Sequence, residues 1–258
     1  MNNPKKLNGW TRAMRASFEK RFADAARDDA TKVVILTAAE PYYSAGVDFA
    51  GILVPAMPKV LWTSIYDSNR TLFELFLDFP KPIIAAVNGP AIGATVTTAT
   101  LCDAIVASDK ATFSTPFARV GVPPEGCSSV HFEYLMRDRA TAERMLGAEG
   151  WSPTAAEAAA IGLVTKTVPH ETLLAEANAL AESWVATRDL AKRTHMGATD
   201  TAAYRRVNDA ESKALATAIL SADFLDKQQK FFASKGKTST SLVFRALKAT
   251  RPAWALLL

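Results

Sequence analysis

The stretch Ile83-Ile-Ala-Ala-Val-Asn-Gly-Pro-Ala-Ile-Gly-Ala-Thr95 decides the fold. Five apolar residues predict a buried strand over Ile83–Val87, and the Asn88-Gly-Pro turn ends it. Residues 92–102 are apolar on nearly every side, which predicts a helix inside the protein. The charge-free run is long enough to suggest a membrane span. Its turn and its four threonines favour strand, turn and helix instead, so we expect no membrane partner.

Strands and helices alternate outward from this stretch. Before it, apolar spacing predicts a helix over residues 10–27, a strand over 33–36 and a helix over 60–79. After it, short strands are predicted over 104–107 and 111–113, around an Asp109-Lys110 turn, and a further strand over 163–168. Helices are predicted over 126–136, 140–146, 153–161, 173–187 and 201–233. This alternation predicts an α/β fold of parallel character with a helical C-terminal part.

Composition is that of an ordinary globular chain, with 258 residues, 49% hydrophobic and 22% charged. A net charge of +4 suits a polyanionic ligand such as a nucleotide cofactor. A basic stripe interleaved with aromatics is missing, so we expect no nucleic-acid partner. Two cysteines, Cys102 and Cys127, indicate a reducing compartment. Three histidines without ligand-like spacing predict no metal site.

Two candidate reactive groups lie in Gly121-Val-Pro-Pro-Glu-Gly-Cys-Ser-Ser129. Glu125 follows two prolines, at a place where a helix is expected to start. It is either a catalytic carboxylate or an acid that favours a helix N-terminus. If residues 126–136 are helical, Cys127 and His131 share one face and could form a nucleophile–base pair. The alternative is a small buried cysteine beside a helical histidine, which we favour.

Two loops of small residues favour the interpretation of Glu125 as a catalytic carboxylate. They are Ser44-Ala-Gly-Val-Asp-Phe49 and Asn88-Gly-Pro-Ala-Ile-Gly-Ala-Thr95, and each follows a predicted buried strand. Such loops could aim backbone N–H groups at one oxygen, which is what an enolate requires.

These residues resemble the crotonase (enoyl-CoA hydratase/isomerase) superfamily. Residues 43–49 resemble its first oxyanion loop, residues 79–93 its second, and residues 151–164 the segment after its active site. Within the superfamily, residues 115–129, Asn3-Pro-Lys-Lys-Leu-Asn8 and Val207-Asn-Asp-Ala-Glu211 are similar to peroxisomal-type Δ3,Δ2-enoyl-CoA isomerases. The resemblance runs from about residue 2 to about residue 237.

The resemblance implies a role for specific residues. The oxyanion amides would belong to Val47 and Ala94, and the catalytic base would be Glu125. Two segments and a glycine would hold the coenzyme A moiety of the substrate: Lys5, Lys6, Leu7, Asn8, Ala45, Gly46, Asp48, Phe49 and Gly93. Hydratases of the superfamily carry two glutamates that position a water, and here those positions are Thr97 and Phe117.

The implied fold is a spiral of β-β-α turns with a helical trimerisation region. We therefore expect an α/β core over residues 1–187, a helical region over 188–237 and a tail of unknown role over 238–258. The family's first strand precedes the Asn-Pro segment at which this chain begins, so that strand is expected to be missing. A homotrimer or hexamer is expected, with Ala202, Leu215, Ile219 and Phe224 presenting an apolar face.

The resemblance implies isomerisation of 3-enoyl-CoA to 2-enoyl-CoA, as in fatty acid β-oxidation, without a further cofactor. The alternatives are an enoyl-CoA hydratase, an acyl-CoA thioesterase that uses Cys127, and a non-catalytic module that binds RNA or a protein. The compartment would be peroxisomal or mitochondrial in a eukaryote and otherwise cytoplasmic. No targeting signal is evident, and Leu258 does not end a Ser-Lys-Leu-type address.

Overall fold

A four-stranded parallel sheet organises the protein, whose computed structural model describes residues 1–48 and 56–257. Its strands lie in the order β1-β2-β4-β6, and they span Val34–Leu36, Ile83–Val87, Ala104–Ser108 and Lys166–Val168. Ile84 is in register with Ala104, and Val34 with Ile83. Because parallel strands need crossover connections, the intervening helices cover both faces of the sheet.

The central strands are buried on both faces. Ile83, Ala85 and Val87 contribute to the main core, while Ile84 and Ala86 point to the opposite face. There they pack with Leu173 and Ala177 at the start of a helix. This alternation follows from the two-residue period of a strand, and it explains why the strand sequence is apolar throughout.

A second, two-stranded parallel sheet lies next to the turn that follows β2. It pairs β3 (Ala91–Ile92) with β5 (Phe113–Ser114). The strand predicted over 104–107 agrees with β4, whereas the strand predicted over 111–113 overlaps β5 only at Phe113. β5 pairs with β3 and not with the main sheet. Ile92, predicted as the first residue of a helix, lies in a strand because it pairs with Ser114.

The helices follow the predicted pattern closely in the first two thirds of the chain, apart from a short helix over residues 117–120 that was not predicted. They are α1 Arg12–Arg27, α2 Pro58–Leu77, α3 Ala94–Thr100, α4 Phe117–Val120, α5 Ser128–Met136, α6 Arg139–Leu146, α7 Ala155–Ala160 and α8 Leu173–Thr187. A short 3-10 helix, Pro4–Lys6, precedes α1. No helix in the described ranges is both long enough and apolar enough to cross a membrane.

The C-terminal region contains three helices, α9 (Thr201–Ile219), α10 (Ala222–Ser234) and α11 (Thr238–Trp254). The predicted continuous helix over 201–233 is wrong at one point, because Ser221 caps a new helix by accepting the Phe224 N–H. The argument for the predicted oligomer face is also wrong. Leu215, Ile219 and Phe224 pack together in a core cluster of this chain, and Ala202 is exposed.

Candidate active site

The two predicted oxyanion loops lie side by side. Ser44 forms a parallel bridge with Ala91, in which the Ser44 N–H donates to Pro90 O and the Ile92 N–H donates to Ser44 O. Val47 and Ala94 each follow the bridging residue of their own segment by three positions. The resemblance implied that these two residues supply the oxyanion amides, and in the fold they occupy matching positions of adjacent segments.

Glycines make this close approach possible. Gly46 has φ of 86°, and a Cβ there would lie 2.7 Å from Ile92 O, so a larger residue would push the loops apart. Gly93 has φ of 64°, and its N–H donates to Ser114 O at 2.7 Å. Ala94 is then the first residue of α3. Within the described residues, neither the Val47 nor the Ala94 N–H donates a hydrogen bond to another residue.

The N-terminal segment lies against the first loop. Ala45 donates its N–H to Leu7 O at 2.9 Å, and Trp10 donates its N–H to Gly46 O at 2.8 Å. Lys5 and Lys6 are exposed. Asn8 is buried, and its amide donates to Ala39 O and Tyr42 O, so its side chain shapes the segment. Phe49 lies outside the described residues.

Glu125 lies in a tight turn before α5. Gly126 and Cys127 both adopt left-handed conformations, with φ of 66° and 65°. Glu125 is only 7% exposed, and its Oε2 accepts a hydrogen bond from Asn69 Nδ2 at 2.5 Å. The Ser212 hydroxyl donates to Asn69 Oδ1 at 2.8 Å, which fixes the amide with its NH2 toward the carboxylate.

Burial raises the pKa of Glu125 to about 7. The hydrogen bond from Asn69 opposes this rise in pKa, and the nearby charge of Glu211 adds to it. A carboxylate with this proton affinity can both take and return a proton near neutral pH, which suits a general acid–base.

A second buried carboxylate supports the same turn. Glu211 of α9 is 7% exposed, and it accepts the Cys127 N–H at 2.6 Å and the Ser129 N–H at 3.0 Å. Burial raises the pKa of Glu211 to about 7, and these two N–H donors oppose that rise. Its carboxylate thus occupies the N-terminus of α5, where a negative charge is favoured.

The suggested pairing of Cys127 with His131 is wrong. Cys127 precedes α5 rather than lying within it, because Gly126 and Cys127 form the left-handed turn. Its thiol donates to Tyr204 O, while His131 Nδ1 pairs with the Tyr204 hydroxyl at 2.6 Å. Burial raises the thiol pKa and lowers the pKa of His131 to about 4. The favoured alternative, a buried cysteine beside a helical histidine, is therefore correct.

Thr97 and Phe117, the two positions that the resemblance matches to the glutamates of hydratases, are buried. The Thr97 hydroxyl donates to Ala94 O within its own helix at 3.1 Å. Phe117 is 3% exposed and packs with Val122 and Leu225 in the C-terminal core cluster. Neither side chain presents a carboxylate. Across the residues that the structure describes, no cluster of three or more potential metal ligands occurs.

Sequence analysis missed Asn69, Glu211 and Ser212 as site residues. Asn69 shares the buried face of α2 with Ile65, Leu72 and Phe73. A polar residue on an apolar helix face was the available signal, since such a group needs a buried partner. The same signal holds in α9, where Glu211 and Ser212 are buried near Leu215.

A family model described as enoyl-CoA hydratase/isomerase matches residues 1–239. The chain therefore belongs to the enoyl-CoA hydratase/isomerase family, as the resemblance implied. It is 39% identical over 177 residues to enoyl-CoA delta isomerase 2 from Homo sapiens, an alignment that covers 68% of this chain and 44% of that protein.

Enoyl-CoA delta isomerase 3, peroxisomal, from Mus musculus is 38% identical over 177 residues, or 68% of this chain and 55% of that protein. The chain thus spans about half the length of these curated relatives. The crystal structure of an enoyl-CoA hydratase/isomerase from Pseudoalteromonas atlantica T6c superposes with a TM-score of 0.77. That structure is 29% identical, and the match covers 91% of this chain and 92% of that chain. The predicted crotonase-like α/β fold is confirmed.

Proposed function

We propose that this protein isomerises 3-enoyl-CoA to 2-enoyl-CoA, with Glu125 as its single acid–base. The observation that carries the proposal is the burial of Glu125, which raises its pKa to about 7. The chain also has Thr97 and Phe117 at the positions that the resemblance matches to the glutamates of hydratases. The two curated relatives named as delta isomerases support the same reaction.

The chemistry follows from the thioester. Its carbonyl acidifies the C2 protons of a 3-enoyl chain, and Glu125 takes one of them. The electron pair moves onto the carbonyl oxygen, giving a dienolate. The N–H groups of Val47 and Ala94 would donate to that oxygen, and each such donor typically contributes ~3 kcal/mol to the transition state. Glu125 then returns the proton at C4, and the double bond forms between C2 and C3.

Substrate binding, assembly and compartment complete the proposal. Exposed Lys5 and Lys6 would meet the phosphates of coenzyme A, beside the loop of Ala45, Gly46 and Asp48. The net change is a proton shift within one molecule, so the reaction itself requires no redox cofactor. We further propose a homotrimer or a dimer of trimers, on the family resemblance and not on the face of α9 and α10, whose apolar residues pack within this chain. For a eukaryotic source, the resemblance to a relative named as peroxisomal favours that compartment.

Turnover of a 3-enoyl-CoA by the wild type and by Glu125→Gln tests the proposal. Gln keeps the shape but cannot accept the proton, so kcat should fall at least ~10²-fold while acyl-CoA binding is retained. Glu133→Gln is the matched control, because Glu133 is an exposed glutamate on α5. It should leave kcat unchanged. If Glu125→Gln kept more than about a tenth of wild-type kcat, Glu125 would not be the base.

Absorbance of the conjugated thioester separates the alternatives. We expect a rise as 2-enoyl-CoA forms, with subsequent hydration at least ~10²-fold slower. An enzyme-dependent fall at a comparable rate would indicate a hydratase instead. Release of free thiol would indicate a thioesterase. Salt-sensitive RNA binding without any turnover would indicate a binding module.

A further inference from the structure

Three polar side chains of α9 face the region around Glu125. Asn208, Glu211 and Ser212 are three and four residues apart, so they lie on one helix face, and all three are buried. Asn208 donates to Arg70 O at 2.9 Å, and Ser212 donates to Asn69 as described above. Glu211 reaches the turn that follows Glu125. One face of α9 therefore contacts both elements that hold the carboxylate.

The turn itself is an unfavourable backbone conformation. Cys127 has a Cβ, and a left-handed conformation typically costs such a residue ~1–2 kcal/mol. Residues held in this region persist where the surrounding structure fixes them. Here the Glu211 carboxylate accepts N–H groups from Cys127 and Ser129 with separate oxygens. It thereby bridges the left-handed residue and the first turn of α5.

Among the described residues packed around Glu125, Glu211 is the charged group that raises the pKa of Glu125. On α2, Asn69 is neutral, and Arg70 is paired with Glu74 and Asp67. Near α5, burial raises the pKa of the Cys127 thiol and lowers that of His131, so both are neutral at pH 7. On α9, Asp209 is paired with Lys213 and accepts a hydrogen bond from Tyr66, and burial raises the pKa of the Tyr204 phenol.

We propose that Glu211 is a positioning residue for the base, which holds the turn that aims Glu125 and presents a second negative charge to it. The inference rests on the proposed function of Glu125. It assigns two separable roles to one carboxylate: the hydrogen bonds align the base, and the charge increases its affinity for the proton. Two substitutions distinguish these roles: Glu211→Gln removes the charge, and Glu211→Asp keeps the charge but shortens the side chain.

The first experiment compares pH profiles of kcat/KM for the wild type, Glu211→Gln and Glu211→Asp. Glu125 must be ionised to accept the C2 proton, so activity rises with pH through its pKa. The pKa of Glu211 is also about 7, so the acid limb of the wild type reports the coupled pair. Gln removes the partner's charge, and the acid limb should move to lower pH by about half a unit or more. Asp keeps the charge but cannot reach both N–H groups. Its acid limb should stay in place while kcat falls about tenfold or more.

An unmoved acid limb in Glu211→Gln would overturn the proposal, whatever happens to kcat, since a purely structural role predicts that result. Folding of each variant is checked by circular dichroism and thermal melting. Glu133→Gln again serves as the control, and it should leave the limb and kcat unchanged.

A second measurement needs neither turnover nor a Glu211 variant. The glutamate δ-13C resonances of the full chain are titrated in the wild type and in Glu125→Gln. Interacting carboxyls shift each other's titration reciprocally, so one remaining resonance should titrate at lower pH in Glu125→Gln. If every remaining glutamate kept the midpoint that it has in the wild type, the proposal would be overturned. A wild type that fails to isomerise would instead refute the proposed function, and this titration would still test the coupling.

Discussion

At the scale of single residues, the proton affinity of Glu125 reflects opposing neighbours. Burial and the charge of Glu211 raise its pKa, while the amide of Asn69 lowers it by donating to the ionised form. Ser212 fixes the direction of that amide. Asn69 lowers the pKa of Glu125 and Glu211 raises it. Removing one or the other should therefore shift the pH dependence of catalysis in opposite directions.

Asn69→Ala should therefore move the acid limb of kcat/KM to higher pH. The ionised Glu125 carboxylate loses its hydrogen-bond donor, so its pKa rises and a higher pH is needed to ionise it. A hydrogen bond to a charged group contributes ~1.5–3 kcal/mol, which corresponds to a shift of about one pH unit or more. The measurement is the pH profile of kcat/KM on a 3-enoyl-CoA, which reports the free enzyme.

The matched control is Asn178→Ala, an exposed asparagine in the middle of α8. It should leave the profile in place. A limb that moves to lower pH in Asn69→Ala would show that the amide does not stabilise the ionised carboxylate, and would contradict the hydrogen bond described here.

At the scale of elements, the turn between Glu125 and α5 depends on Gly126. A Cβ at this position would overlap the ring of Phe73, which is fully buried. Gly126→Ala should therefore destabilise the protein through both the left-handed φ and overpacking. Together these effects amount to ~2–5 kcal/mol, and displacement of Glu125 should lower kcat about 10²-fold. Urea denaturation and turnover measure the two effects.

Gly150→Ala separates the two contributions. Gly150 has φ of 59°, and a Cβ added there would have no heavy atom within 4 Å, so only the backbone cost of ~1–2 kcal/mol applies. Adding Phe73→Leu to Gly126→Ala should restore part of the stability. Equal losses at the two glycines would mean that the contact with Phe73 does not constrain the turn.

Local patterns predicted most elements but not this turn. Ile83–Val87 and Leu173–Thr187 agree with the structure at both ends, because apolar runs and helical spacing are local signals. The helix predicted over 126–136 begins two residues later, at Ser128. The left-handed turn before it contacts the Glu211 carboxylate, which lies 84 residues away from Cys127 in the sequence. A single sequence carries no direct record of such a contact.

The site shows the same division between local and distant information. Glu125 and the two loops were named from motifs that lie within short segments, and their catalytic roles stay predictions. Asn69 and Ser212 join Glu125 from α2 and α9, which are distant in sequence. The only local sign was polarity on a buried helix face, and that sign does not identify the partner.

At the scale of the whole molecule, one apolar cluster joins the C-terminal helices to the α/β part. It contains Phe224, Phe232 and Phe244 of α10 and α11, together with Ile65 of α2 and Phe117 of α4. The segment 238–258, for which the sequence indicated no role, thus contributes α11 to a shared core. We therefore expect α9–α11 to unfold in one transition with the sheet and its helices.

Phe244→Ala tests this cooperativity. Phe244 is 2% exposed, and its ring stacks on Phe232 with centroids 5.4 Å apart. Truncating such a ring typically costs ~3–5 kcal/mol, and in a cooperative molecule the whole loss appears in global unfolding. The neighbouring Val243 is 51% exposed, so Val243→Ala should change the free energy of unfolding by no more than ~0.5 kcal/mol.

Urea denaturation is followed by far-UV circular dichroism and tryptophan fluorescence at several protein concentrations, which separates folding from assembly. An early partial transition in Phe244→Ala, with the main transition at its wild-type midpoint, would show that α11 unfolds independently and only covers the surface of α10.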